Sequence, residues 1–162
     1  MRLSLGTLLG LILVIAIFWG GHDLYVHWQE RRLTQQALDA LQRDDDNTAS
    51  VAARATLELE PSSALAARVM AELAQKAGNR AALNWRHRVA DLLPNSIEDK
   101  LAWARCAVQF NDVSTAEHAL SLVRGTGRQI AEYHAVAALL AQAHGQEDQA
   151  ESEWTQALQL GG

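Results

Sequence analysis

Alanine recurs in register along this chain, and that recurrence constrains the fold more than any other feature. Ala37, Ala71, Ala104 and Ala138 are spaced 34, 33 and 34 residues apart, and Ala40, Ala74, Ala107 and Ala141 repeat those spacings. Ala49, Ala82, Ala116 and Ala150 follow at 33, 34 and 34, and Pro61 and Pro94 are 33 apart. Because 29 of the 162 residues are alanine, one such series could be accidental; three series and a proline pair on one period are not. A period of this length is the mark of stacked supersecondary units, each of which buries its apolar face only against its neighbours.

Each unit reads as two amphipathic helices. In the first, Leu33, Ala37, Leu38, Ala40 and Leu41 fall at helical spacing, Asp44 to Asn47 form a turn, and Val51 to Leu59 a second helix. The second unit carries Leu65, Val69, Met70 and Leu73, stops at Gly78-Asn79, and resumes through Leu83, Val89, Leu92 and Leu93 until Pro94 ends it. In the third, Ser96-x-x-Asp99 has the capping-box pattern ahead of Leu101, Trp103, Ala104, Ala107 and Val108. Asn111-Asp112 makes its turn, and Ser114-x-x-Glu117 is read as the cap of a helix with Leu120 and Val123. The fourth runs Tyr133, Val136, Leu139 and Leu140, then Gly145, then Ala150, Trp154, Ala157 and Leu158.

These residues resemble the tetratricopeptide repeat (TPR) family, whose 34-residue helix–turn–helix unit has small residues at positions 8 and 20 and proline at position 32. Position 8 is Ala37, Ala71, Ala104 and Ala138; position 20 is Ala49, Ala82, Ala116 and Ala150; position 32 is Pro61, Pro94, Arg128 and Gly162. There are departures. The aromatic of position 4 is replaced by Leu33, Ala67, Lys100 and His134, the second unit is one residue short, and Arg128 stands for proline beside Gly125-Thr126-Gly127. The expected fold is all-α: a single amino-terminal transmembrane helix, then an α-solenoid of about four units at 30–63, 64–96, 97–130 and 131–162.

The anchor is expected at residues 1–22, with a juxtamembrane helical segment at 23–29. Leu3 to His22 are 20 residues without a formal charge, enough to span a bilayer core of roughly 30 Å as a helix. Trp19, Tyr25 and Trp28 sit near one end, where aromatic rings favour the interface. A cleaved signal peptide needs small residues where Phe18 and Trp19 stand, so an uncleaved anchor is the better reading. Orientation is poorly marked. Arg2 precedes the span and Arg31-Arg32 follow it, and a short amino-terminal tail left inside places the repeats on the periplasmic side of a bacterial inner membrane. Gly6 and Gly10 form a Gly-x-x-x-Gly pair, a candidate transmembrane dimer contact.

No catalytic constellation stands out. His22, His27, His87, His118, His134 and His144 show no i, i+4 pairing and no zinc spacing with Cys106, which reads as a packed helical thiol. Asp44-Asp45-Asp46-Asn47 lacks the glycine and closing glutamate of a calcium loop, and Gly125-x-Gly127 is too short for a phosphate loop. Trp85, Trp103 and Trp154 are spaced as core fillers. A net charge of −5 does not suit general nucleic-acid binding. The expectation is a protein without metal or cofactor and without enzymatic activity.

The resemblance implies protein partners, bound on the concave face at repeat positions 2, 5, 9, 12 and 13. Carried onto this chain, the candidate peptide groove is Arg68, Glu72 and Lys76 (with Gln75), then Glu98, Leu101, Arg105 and Gln109 (with Val108), then Glu132, Leu139 and Gln142. The plainer account of these residues is a solvated face with i, i+4 pairs such as Arg68–Glu72. The functional expectation is a membrane-anchored scaffold or adaptor in a bacterial envelope-associated assembly. Alternatives are the targeting region of a longer enzyme, such as a glycosyltransferase, and a self-associating membrane anchor. The last unit reaches Gly161-Gly162 without a polar capping helix, which suggests a longer array or a covered end.

Overall fold

The computed structural model describes residues 28–161, all of them helix, turn or connector. The chain divides into two compact units at Pro61/Ser62. The first holds α1 (residues 28–42) and α2 (Asp46–Leu59). The second holds α3 (Ala64–Lys76), α4 (Ala81–Leu92), α5 (Ile97–Gln109), α6 (Val113–Ser121), α7 (Ala131–Ala143) and α8 (Glu147–Gly161). Among the described residues no helix is long and apolar enough to cross a membrane. The anchor expected at 1–22, with Gly6 and Gly10, lies outside them.

The alanine register is the seam between helices. Every alanine of the three series is buried except Ala74, which is half-buried. A side chain of one carbon lets two backbones approach, and larger residues fill the gaps alongside. In the second unit Ala90, Leu101, Trp103, Ala104, Leu120 and Val136 share one core across α4 to α7, and Leu83, Cys106, Ala107 and Ala116 share another.

A second register, in the backbone, marks the same repeat. Asp44, Gly78, Asn111 and Gly145 all have positive φ, at 58°, 65°, 54° and 72°, and they are spaced 34, 33 and 34 apart. At each, the next residue donates its N–H back across the turn: Asp45 to Ala40 O at 2.9 Å, Asn79 to Ala74 O at 2.8 Å, Asp112 to Ala107 O at 2.8 Å, Gln146 to Ala141 O at 2.9 Å. This is the Schellman closure, which satisfies carbonyls left open at a helix end. Glycine enters the left-handed region without a Cβ penalty, and Asp and Asn are the side chains that tolerate it best.

One capping expectation and one helix boundary change. The cap of α6 is Asp112, whose carboxylate accepts from Thr115 N at 3.2 Å; Ser114 donates its hydroxyl to Asp112 instead of capping. Asp45 caps α2 in the same way, through Thr48 N at 3.1 Å, so that helix starts at Asp46 and not near Val51. The Thr48 side chain and N–H hold the Asp45 carboxyl below the ordinary range, and the Thr115 N–H and side chain do the same for Asp112. Arg128 does not end a helix either: α6 stops at Ser121, and Gly125–Gln129 form a 3-10 turn. Gly127 is buried there, and a Cβ on it would stand 2.8 Å from Val123 Cγ1 and 3.0 Å from Ile97 Cδ1. Arg128 Nε donates to Val123 O at 2.9 Å, tying the turn to the end of the third helix pair.

Candidate peptide-binding face

α3, α5 and α7 are the first helices of three successive pairs, and polar side chains join each to the next. Arg68 on α3 grips Asp99 on α5 through both carboxylate oxygens, Nε to Oδ1 at 2.8 Å and Nη2 to Oδ2 at 2.5 Å. Lower on the same two helices Gln75 Nε2 donates to Gln109 Oε1 at 2.7 Å, while Gln75 Oε1 accepts from Arg86 of α4 at 3.0 Å. Between α5 and α7 Arg105 is paired with Glu132. The partners are 31, 34 and 27 residues apart, bracketing one repeat, as side-by-side equivalent helices require.

The Arg68–Asp99 pair is the most enclosed of these. Burial pushes the Asp99 carboxyl up. The Arg68 guanidinium, the Ser96 hydroxyl and the charge of Arg86 outweigh it, and the group sits below the usual carboxylate range. The same hydrogen bond raises Arg68, against its own desolvation. Ser96 also accepts from Asp99 N at 3.2 Å, so half of the expected capping box forms. The reciprocal half does not form: Ser96 N donates to Leu93 O at 2.9 Å, and the Asp99 carboxylate is held by Arg68.

The candidate groove residues are therefore used unequally. Glu72, Lys76, Glu98 and Gln109 are exposed on α3 and α5, and Val108 and Leu139 are half-buried. Lys76 lies in the last turn of α3, where a cation suits the helix dipole. Leu101 does not belong to the groove: it is fully buried in the core with Trp103, Ala104 and Val136. Its place on α5 points between helices, and an aliphatic side chain follows the core when both directions are open. Arg68 turns to Asp99 and not to Glu72, and Arg105 is held by Glu132. Gln142 lines a different cleft, between α7 and α8. Asp99 and Gln75 are the residues whose structural role the sequence reading missed; an Arg–Asp pair 31 apart at neighbouring repeat positions was the available signal.

Elsewhere, Trp103 is a core residue, stacked on His87 with centroids 4.4 Å apart and edge-on to His118 at 5.7 Å. Cys106 is fully buried and its thiol is pushed up by desolvation. His134 pairs with Glu153 of α8 at 2.7 Å, largely out of solvent, where the family has its position-4 aromatic. Among the described residues no group of His, Cys, Asp and Glu is arranged to hold a metal ion.

Solved structures show the same stacking of helix pairs. The MamA protein superposes with a TM-score of 0.70 at 14% identity, over 80% of this chain and 72% of that one. PilF of Pseudomonas aeruginosa gives 0.69 at 18%, over 83% and 62%. Both are TPR-repeat proteins. The fold is TPR-like. No family model matches the chain, and no curated protein does. In this TPR-like array α3, α5 and α7 are the helices of repeat positions 1 to 14, the half that carries the expected groove. The chain spans less than two thirds of the PilF chain.

Proposed function

We propose that this protein is a non-catalytic scaffold that receives an extended segment of a partner protein across α3, α5 and α7, anchored to a membrane by residues 1–22. The observation that carries the reading is the rung pattern on that face. Its arginines are neutralised from within by Asp99 and Glu132, while Glu72, Glu98 and Gln109 stay exposed. Half-buried Val108 on α5 and Leu139 on α7 supply apolar footing. Such a face favours hydrogen bonding and aliphatic contact over a basic clamp for a carboxylate. The uncharged stretch Leu3–His22 supports the anchor. The setting that fits both features is a bacterial envelope assembly with the repeats on the periplasmic side.

Site-specific photo-cross-linking in cells tests the face. A cross-linker at Glu72 or Glu98 should recover one common partner that a cross-linker at exposed Arg88 or Ser121, on second helices, does not. Identical background from all four positions would remove the face from the account. Carbonate extraction tests the anchor: the full chain should stay with membranes and a chain starting at residue 23 should not.

A further inference from the structure

A face of α8 repeats a face of α6 that the protein itself shows how to fill. Ala116 and Leu120 on α6 precede Ala150 and Trp154 on α8 by 34 residues. The α6 pair is buried and shares its cores with Val136 and Leu140 of α7. On α8, Ala150, Trp154 and Leu158 form an i, i+4, i+8 stripe along a cleft of about 600 Å3. Leu158 is 77% exposed. Charge repeats as well. Glu117 on α6 meets His144 of the following helix pair at 3.3 Å. Its counterpart 34 residues on is Glu151, which lines the cleft with Glu147. Between residues 147 and 161 there are four acidic side chains and no Lys, Arg or His.

We infer that this cleft is the docking groove for a basic amphipathic α-helix of a partner protein. A helix fits because α7 fills the equivalent face of α6, presenting aliphatic side chains at helical spacing. A basic flank fits because Glu151 stands where Glu117 finds His144, and Glu147 lies one turn away on the same side. A second copy of this chain fits poorly. Between successive pairs Arg80 bonds Asp112 at 3.2 Å. The residues at the corresponding positions of α8 and of the first helix pair are Asp148 and Asp45, two like charges.

The test uses the full chain and two synthetic alanine-based helices, with leucines at i, i+4 and i+7 and either lysine or glutamate at the flanking positions. Calorimetry should show the lysine-flanked helix binding and the glutamate-flanked one binding roughly tenfold more weakly, the scale of two exposed ion pairs. Glu147→Lys with Glu151→Lys should invert that preference, and Leu158→Arg should abolish binding with helicity unchanged by circular dichroism. Glu72→Lys with Glu98→Lys, on the face of the preceding proposal, should leave the binding as it was. Equal binding of the two helices, no binding of either, or binding that survives Leu158→Arg would overturn the inference. So would self-association of the full chain that Leu158→Arg abolishes, since a second copy would then cover the face.

Discussion

Arg68–Asp99 and Arg105–Glu132 join neighbouring first helices by the same chemistry, and their surroundings make them different devices. In the first pair the side chains are 33% and 5% exposed; in the second, 51% and 37%. A guanidinium facing an enclosed carboxylate supplies the largest offset to its desolvation, with the Ser96 hydroxyl and the charge of Arg86 as lesser ones, so its loss leaves a buried charge poorly compensated. A guanidinium facing a carboxylate in water replaces solvent with little net change. The two rungs teach that a ladder across a repeat array is not uniform. The upper rung between α3 and α5 sets how those helices register, whereas the rung between α5 and α7 is close to a surface decoration.

The sharpest way to break this comparison is Arg68→Ala, which should cost about 2 kcal/mol in urea unfolding, allowing for the partial exposure of the arginine. A cost no greater than that of Arg105→Ala would erase the distinction between the rungs. Asp99→Ala should cost less than Arg68→Ala, because it removes the enclosed charge along with its partner's bond. Acid provides an intermediate effect. The folded Asp99 carboxyl lies below its unfolded value, so its stabilisation is fully present above the unfolded pKa of about 4 and is lost as pH falls through the folded one. The stability gap between the wild type and Asp99→Asn should therefore close on acidification below that value. A gap independent of pH would mean that the ionised form is not what Arg68 recognises. The smallest effect is Arg105→Ala, about 0.5 kcal/mol or less at low salt and undetectable in concentrated salt.

The helix pairs and their alanine seam were legible in the sequence because burial at Ala71, Ala104 and Ala138 leaves a period that composition alone does not produce. The four turns were legible in the sequence, but the left-handed residue that each contains was legible at only two of them. Gly78 and Gly145 announce a left-handed residue, but Asp44 and Asn111 hold the same backbone with side chains that also suit ordinary loops. Only their spacing from the glycines gives them away. Ser114 misled because Ser and Asp compete for the same capping role, and Asp112 lies one residue before the helix begins. Leu101 misled because a repeat position taken from a family carries an average direction, while burial of this side chain is decided by Trp103, Ala104 and Val136 around it. The pairing of Arg68 was hidden for a plainer reason: its partner is 31 residues away, and local spacing offered Glu72 first.

Cys106 turns one of these packing details into a measuring device. It is the single cysteine of the chain, wholly buried where α4 meets α5, with a thiol that burial keeps protonated. A maleimide or disulfide reagent can reach it only when that seam parts, so the labelling rate in native buffer counts openings with no probe added. Loosening the upper rung by Arg68→Ala should speed that clock by roughly 30-fold if α3, α4 and α5 open together, since each 1.4 kcal/mol is about a factor of ten. It should leave the rate untouched if α3 peels away alone. The same tube would then report whether the helices of this array separate one pair at a time or as a block.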